Sequence, residues 1–183
     1  MRALLGRLDG LREAHRPDVV VVNAENAAAG AGTSARQARD LLAAGVDVLT
    51  GGNHSLRKAD FLPLLEAEPR ALRPANIAVR APGRGSVVVE TPAGPVGVVN
   101  VMGAVFMTVA QSPFAVIDDL VAEVAREARH VLVDVHARPP ARRSRWPATW
   151  TAASPRWSGP TPTSRPPTRA CWPAAPRSSA TSG

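Results

Sequence analysis

Short apolar runs alternate along this chain with segments that have helical periodicity. This alternation is typical of parallel strands that are covered on both faces. Ligands and chemistry collect at the carboxyl ends of such strands, so polar residues that follow different strands are expected to meet in one site. Three runs end in this way: Asp18–Asn23 is followed by Glu25 and Asn26, Val46–Thr50 by Asn53 and His54, and Val131–Val135 by His136.

The segments between the runs predict helices and one hairpin. Apolar residues from Ala3 to Leu11 recur at helical spacing, so the chain is expected to open on an amphipathic helix. That opening is unusual for a doubly wound sheet, and we expect Met1 to be a late start. The other predicted elements are a helix capped by Ser34 and ended by Gly45, a helix over Lys58–Glu66, a hairpin of Gly85–Glu90 and Pro95–Val101, and a helix from Ser112-Pro113 through Arg126. The order indicates an α/β fold.

Composition divides the chain into two unlike pieces. Met1–Ala137 holds all 15 acidic residues and 14 of the 22 basic ones, so its net charge is close to zero. Arg138–Gly183 holds eight Arg, all four Trp and ten of the 18 Pro, without acid, Val, Ile, Leu, Met or Phe. Such a composition cannot bury enough apolar surface to offset its ordering entropy, so this tail is expected to be disordered. The high isoelectric point therefore belongs to the tail.

Cysteine content and hydropathy bear on the compartment. The single Cys171 cannot form an internal disulfide, which favours a reducing cytoplasm. The N-terminus lacks a signal-peptide pattern, and no apolar run reaches the ~18 residues of a membrane span. We expect a cytoplasmic protein without membrane contact.

The residues at the strand ends are suited to metal binding. A carboxylate from Glu25, amide oxygens from Asn26 and Asn53, and imidazoles from His54 and His136 form a mixed oxygen and nitrogen set, which suits Mn, Fe or Zn better than Ca or Mg. Taken singly, each has a structural explanation as a loop carboxylate, a turn amide or a buried histidine. Their shared position at strand ends favours one site.

Four motifs with linked order and spacing resemble the YmdB-like metallophosphoesterases, a branch of the calcineurin-like superfamily. The motifs are Asn23–Ala28, Gly52–His54, Arg73–Asn76 and Asp134–His136, and the resemblance covers about Met1–Ala137. It implies a four-layer α/β/β/α fold, a dinuclear centre of divalent transition metals (Fe or Mn, with Zn a further candidate) and hydrolysis of small phosphodiesters such as 2′,3′-cyclic nucleotides. By motif match, the metal ligands would be Glu25, Asn26, Asn53 and His136, and His54 would be the catalytic proton donor to the leaving group.

Two departures from the family pattern lead to further expectations. The family's first strand, with its ligand Asp, and its late Gly-Thr-His-Thr-His-Val motif have no counterpart here. We therefore expect an incomplete domain over Met1–Ala137, at most a partial metal site, and little or no activity. With suitable G+C-rich codons, Val-Val-Gly-Thr-His-Thr-His-Val read in a shifted frame gives Trp157–Ser164. This consistency supports the hypothesis that the tail is an out-of-frame translation that begins near Ala137–Arg138.

Two alternatives to the phosphodiesterase remain open. The tail's Arg and Trp could contact phosphates and stack on bases, although a frameshift explains the same composition without a nucleic-acid partner. A non-catalytic remnant is the other. The sequence does not determine the physiological substrate or the metal. It also leaves the oligomeric state open, with a homo-oligomer among the alternatives.

Overall fold

Two β-sheets and four α-helices make up the described part of the chain. The structure is a computed structural model that describes residues 2–78, 80–104, 107–137 and, for the backbone alone, 170–173. The helices are α1 Arg2–His15, α2 Ala35–Ala43, α3 Leu62–Ala67 and α4 Pro113–Val124, with a 3₁₀ turn at Ala59–Phe61. The strands are β1 Val21–Asn23, β2 Val48–Thr50, β3 Ser86–Val89, β4 Val96–Met102, β5 His130–His136 and β6 Ala170–Pro173.

Each sheet contains one parallel pair of strands, which places the carboxyl ends of the paired strands side by side. Strands β1 and β2 run parallel in the first sheet, with Asn23 opposite Thr50. The second sheet has the order β3-β4-β5-β6, and its central pair, β4 and β5, is parallel. In that pair Asn100 lies opposite Asp134, and Met102 lies opposite His136. The polar residues that follow β1, β2 and β5 therefore share one end of the molecule.

The first layer consists of helices packed on the outer face of β1 and β2. Leu8 of α1, Leu41 of α2 and Leu65 of α3 are buried with Leu49 of β2 in one apolar cluster. Burial of such side chains is the main favourable term in folding, at about 1.5–3 kcal/mol for each large aliphatic. These three helices thus cover one face of the first sheet.

The other two apolar clusters fill the remaining spaces between layers. Val21 and Val48 of the first sheet pack against Val98 of the second. On the far side of the second sheet, Ile117 and Val124 of α4 pack on β4 and β5. The order of layers is therefore helix, sheet, sheet, helix, and the predicted α/β/β/α fold is confirmed.

The element boundaries depend on local interactions that modify the predicted ones. β1 begins only at Val21, because the N–H of Val20 donates to the Asp47 carboxylate instead of joining a strand ladder. The helix predicted over Lys58–Glu66 is a 3₁₀ turn followed by α3, and Pro63 lies in the first turn of α3. Proline is compatible with a first helical turn because the N–H it lacks has no partner there.

One short strand lies in the tail that the sequence predicts to be disordered. Ala170–Pro173 pairs antiparallel with β5, opposite His130–Val133. The edge of β5 thus gives these four residues backbone partners, while the predicted disorder of the tail stays a prediction. The rest of Arg138–Gly183 lies outside the described residues, and the domain division at Ala137 stays a prediction.

Candidate metal and phosphoester site

Glu25 is the buried centre of the candidate site. It follows β1 by two residues and is 2% exposed. Its backbone N–H donates to Asn23 Oδ1 at 3.2 Å, which fixes the turn after the strand. Its Oε1 accepts a hydrogen bond of 2.7 Å from the backbone N–H of His54. This contact ties the segment after β1 to the segment after β2.

The environment of Glu25 favours the protonated form of its carboxyl group. Burial raises the pKa of Glu25 to about 7, and the backbone N–H groups of His54 and Gly52 oppose the rise only in part. Its second oxygen, Oε2, is buried and has no hydrogen-bond partner among the described residues. A buried oxygen without a partner costs free energy unless a proton or a cation satisfies it.

His54 lies beside the same carboxylate. Its Nδ1 is 3.0 Å from Glu25 Oε1, without the alignment of a hydrogen bond. The His54 side chain is 23% exposed, so the ring reaches from the buried carboxylate towards solvent. A partly exposed imidazole next to a carboxylate can transfer a proton at neutral pH.

His136 and Asn53 form the third part of the site. Nε2 of His136 is 2.9 Å from Asn53 Oδ1 and 3.9 Å from Glu25 Oε1. The His136 ring rests on Gly52, where a Cβ atom would lie only 2.6 Å from three ring carbons. Gly52 is therefore required by the close approach of the ring, which joins the end of β5 to the loop after β2.

The donor set fits part of a metal centre. Two ligand atoms ~2.1 Å from one ion and roughly perpendicular to each other lie ~3 Å apart, which matches the separation of His136 Nε2 and Asn53 Oδ1. The partnerless Oε2 of Glu25 adds an anionic donor. Over residues 2–78, 80–104 and 107–137, however, no group of three or more His, Cys, Asp or Glu side chains is gathered around a common point.

Asn26 is placed differently from the other four predicted residues. It is exposed, and it lines a cavity on the helix side of β1 together with Leu4, Val22 and Leu41. The structure thus brings together Glu25, Asn53, His54 and His136, whereas a ligand role for Asn26 stays a prediction.

Four polar residues behind the site were not predicted as functional. Two of them had a signal in the sequence, because Asn100 and Asp134 each interrupt an apolar strand. Asp134 is 8% exposed and accepts hydrogen bonds from Asn23 Nδ2, at 2.8 Å, and from the Thr50 hydroxyl. Asn100 is fully buried and bonds to Gly51 and to the Asp134 backbone.

Two other expectations concern membrane contact and nucleic-acid binding by the tail. No helix in the described ranges is long and apolar enough to cross a membrane. Nearly all of the Arg- and Trp-rich tail lies outside those ranges, so nucleic-acid binding through it stays a prediction.

Sequence comparisons place the chain among phosphoesterases. The profile of a family described as "YmdB-like protein" matches residues 1–144. A 2′,3′-cyclic-nucleotide 2′-phosphodiesterase of Bacillus subtilis (strain 168) is 32% identical over 127 residues, which are 69% of this chain and 48% of the relative. A putative phosphatase/phosphodiesterase of Mycoplasma pneumoniae is 32% identical over 136 residues, 69% of this chain and 47% of the relative. The chain thus spans about half the length of these two relatives.

Solved structures agree with the fold. A hypothetical protein from Thermus thermophilus superposes with a TM-score of 0.70 at 36% identity, covering 79% of this chain and 55% of that protein. A crystal structure described as a novel phosphatase from Mycoplasma pneumoniae gives a TM-score of 0.72 at 26% identity, covering 82% and 55%.

Proposed function

Since the chain belongs to the YmdB-like family, we propose that its site is that of a metal-dependent phosphodiesterase acting on small phosphodiesters such as 2′,3′-cyclic nucleotides. The names of the two curated relatives support hydrolysis of phosphoric esters. The convergence of one carboxylate, one amide and two imidazoles at the strand ends supports a metal requirement.

The donors proposed for the metal are Oε2 of Glu25, Oδ1 of Asn53 and Nε2 of His136. A divalent transition metal bound there would polarise the phosphoryl group and lower the pKa of an attacking water. The described residues gather fewer donors than a dinuclear centre needs, so we expect weak binding of one ion and low turnover.

His54 is the residue that we propose as proton donor. Its Nδ1 lies against Glu25, which leaves Nε2 to meet the leaving oxygen of a substrate. Glu25 restricts the ring through its contacts with both the backbone and the side chain of His54. The carboxylate would thus serve the metal through one oxygen and position His54 through the other.

The observation that carries the proposal is the burial of Glu25 with one partnerless oxygen. A cation at Oε2 would remove the cost of that oxygen and lower the pKa of the carboxyl group. A purely structural carboxylate in the same place would be expected to have protein donors on both oxygens.

The proposal is tested first by metal binding. Mn²⁺ added to the full chain should broaden the imidazole NMR signals of His54 and His136, and Glu25→Gln should abolish the effect. Glu90→Gln, at an exposed position after β3, is the matched control and should leave the broadening unchanged. Equal broadening in the Glu25→Gln variant would rule out the proposed site.

Turnover is the second test. Any Mn²⁺-dependent hydrolysis of 2′,3′-cyclic AMP by the pure chain should disappear in His54→Gln while broadening of the His136 signals persists. Hydrolysis that survives in both His54→Gln and Glu25→Gln would assign the activity to another site or to a contaminant. A chain that binds no Mn²⁺ and hydrolyses nothing would favour the non-catalytic alternative.

A further inference from the structure

Asp134 is a buried carboxylate whose side-chain partners are neutral. It lies on β5, two residues before His136, and its Oδ2 accepts from the Asn23 amide and the Thr50 hydroxyl. No Lys, Arg or His forms an ion pair with it among the residues for which the structure gives side chains. Asn23 and Thr50 belong to the first sheet, so this carboxylate links the two sheets.

Asn100 makes a second link at the same level. It lies beside Asp134 in the β4–β5 ladder, and its side chain is fully buried. Its Oδ1 accepts from the N–H of Gly51 at 3.1 Å, and its Nδ2 donates to the Asp134 carbonyl at 3.2 Å. The four residues that join the sheets in this way, here termed the inter-sheet bridge, are Asn23, Thr50, Asn100 and Asp134.

The inter-sheet bridge ends at the loop that carries the candidate site. The bridge holds Thr50 and Gly51 through hydrogen bonds. The two residues that follow both contact His136: its ring rests on Gly52, and its Nε2 meets Asn53 Oδ1. The separation of 2.9 Å between those two candidate ligand atoms depends on how the first sheet is placed on the second. The bridge holds both sheets within a few residues of that contact.

A buried polar connection of this kind needs an explanation other than stability. Burying a carboxylate without a cation is costly, and apolar pairs of similar volume are often at least as stable in a core. The neighbouring contact between the sheets, Val48 with Val98, is of that apolar kind. Directional hydrogen bonds, in contrast to apolar contacts, fix the distance and orientation of the groups that they join.

We propose that the inter-sheet bridge positions Asn53 against His136, so that its four members, Asn23, Thr50, Asn100 and Asp134, act as positioning residues for the metal site. They act through the loop after β2 and do not themselves touch substrate. The inference rests on the proposed function, since a defined separation of two ligand atoms matters only if both bind one ion.

The test uses Thr50→Val, which keeps the side-chain shape and removes the hydroxyl that donates to Asp134. Thr50→Ser restores the hydroxyl. Thr91→Val is the matched control, because the Thr91 hydroxyl donates to Gly94 in the β3–β4 turn, away from the site. Asn23→Ala removes the other donor to Asp134, together with the acceptor of the Glu25 N–H, and serves as the second variant.

Two measurements are made on each full-length variant. In metal-free crystal structures, Thr50→Val and Asn23→Ala should lengthen the Asn53 Oδ1 to His136 Nε2 separation beyond hydrogen-bond distance, about 3.5 Å, whereas Thr50→Ser and Thr91→Val should keep 2.9 Å. In Mn²⁺ titrations followed by broadening of the His136 signals, the first two should bind roughly 10-fold more weakly, as is typical when a residue that orients a ligand is lost.

The outcomes separate this inference from the proposed function. An unchanged separation of 2.9 Å together with unchanged Mn²⁺ binding in Thr50→Val and Asn23→Ala would overturn the positioning role. A wild-type chain that binds no Mn²⁺ would overturn the proposed function, while the metal-free structures would still show whether the bridge positions Asn53. A weaker Mn²⁺ response in Thr50→Val that Thr50→Ser restores would support both.

Discussion

Glu25 shows how burial decides the chemistry of a single residue. Its position after a strand made it a candidate from the sequence, but a sequence does not reveal that the carboxylate is 2% exposed or that one oxygen lacks a partner. Both properties depend on contacts with residues that follow β2 and β5. The raised pKa is their direct consequence, because the charged form loses its hydration.

The first prediction is a pH dependence of stability in the metal-free protein. The pKa of Glu25 is about 7 in the folded chain against an ordinary 4.5, so the folded state binds this proton more tightly than the unfolded state. The contribution is therefore fully present below pH ~4.5 and is lost as the pH rises to about 7, with an upper limit of about 3 kcal/mol. Urea unfolding of wild type and Glu25→Gln over this range measures it.

In that experiment the variant serves as the reference, because Gln cannot ionise. A difference in unfolding free energy that does not change between pH 4.5 and 7 would contradict a raised pKa.

A second prediction at this scale concerns Gly52. A Cβ atom at this position would lie 2.6 Å from the His136 ring, so Gly52→Ala should displace the ring and destabilise the fold by about 2 kcal/mol. Mn²⁺ binding should weaken with it. At Gly103 the added methyl would meet the Ala137 methyl at 3.3 Å, so Gly103→Ala is the milder control. Thermal unfolding and Mn²⁺ titration of both variants decide whether the site depends on this close approach.

At the scale of elements, the candidate site was predictable where local pattern and strand ends coincide. Glu25, Asn53, His54 and His136 all follow apolar runs, and the structure brings them together. Asn26 also follows such a run but lines another cavity, because residues 25–30 form a turn in which the alternation of a strand no longer sets the direction of side chains. The inter-sheet bridge was not predicted, because it depends on how the two sheets pack against each other. The hydrophobic pattern within a segment does not determine that packing.

The third prediction concerns the start of α2. Ser34 and Gln37 form a reciprocal capping box, in which the Gln37 N–H donates to Ser34 Oγ at 3.2 Å and the Ser34 N–H donates to Gln37 Oε1 at 3.1 Å. Ser34→Ala should therefore cost about 1 kcal/mol. Ser112 precedes α4 without a capping hydrogen bond from its side chain, so Ser112→Ala should cost much less. Equal losses in urea unfolding would show that the capping box contributes nothing.

At the scale of the whole molecule, one segment carries the chain from the first sheet to the second. Ala71 bridges to Leu49 beside the first sheet, and Leu72 bridges to Arg84, next to β3. Arg73 follows directly, with its N–H donating to the Arg84 carbonyl at 3.0 Å. The sheets are therefore joined by apolar packing between their faces, by the inter-sheet bridge and by this crossing segment.

The Arg73 side chain holds that crossing in place. It is 7% exposed, and its guanidinium donates to four backbone carbonyls, of Pro74, Ala75, Ala81 and Pro82, at 3.0 to 3.3 Å. Burial lowers the pKa of Arg73, which shows that the cation is held at a cost that these carbonyls offset. A planar group with five donors is suited to such a cluster in a way that Lys is not.

The fourth prediction follows from this clamp. Arg73→Met keeps the length and the apolar stem but leaves the four carbonyls without their donor, so it should lower the unfolding free energy by about 3 kcal/mol. Arg84→Met, at an exposed side chain of the same type, should change it by no more than about 0.5 kcal/mol. Urea unfolding of both variants measures the difference. If the two substitutions had equal effects, the guanidinium of Arg73 would have no role in holding the crossing segment.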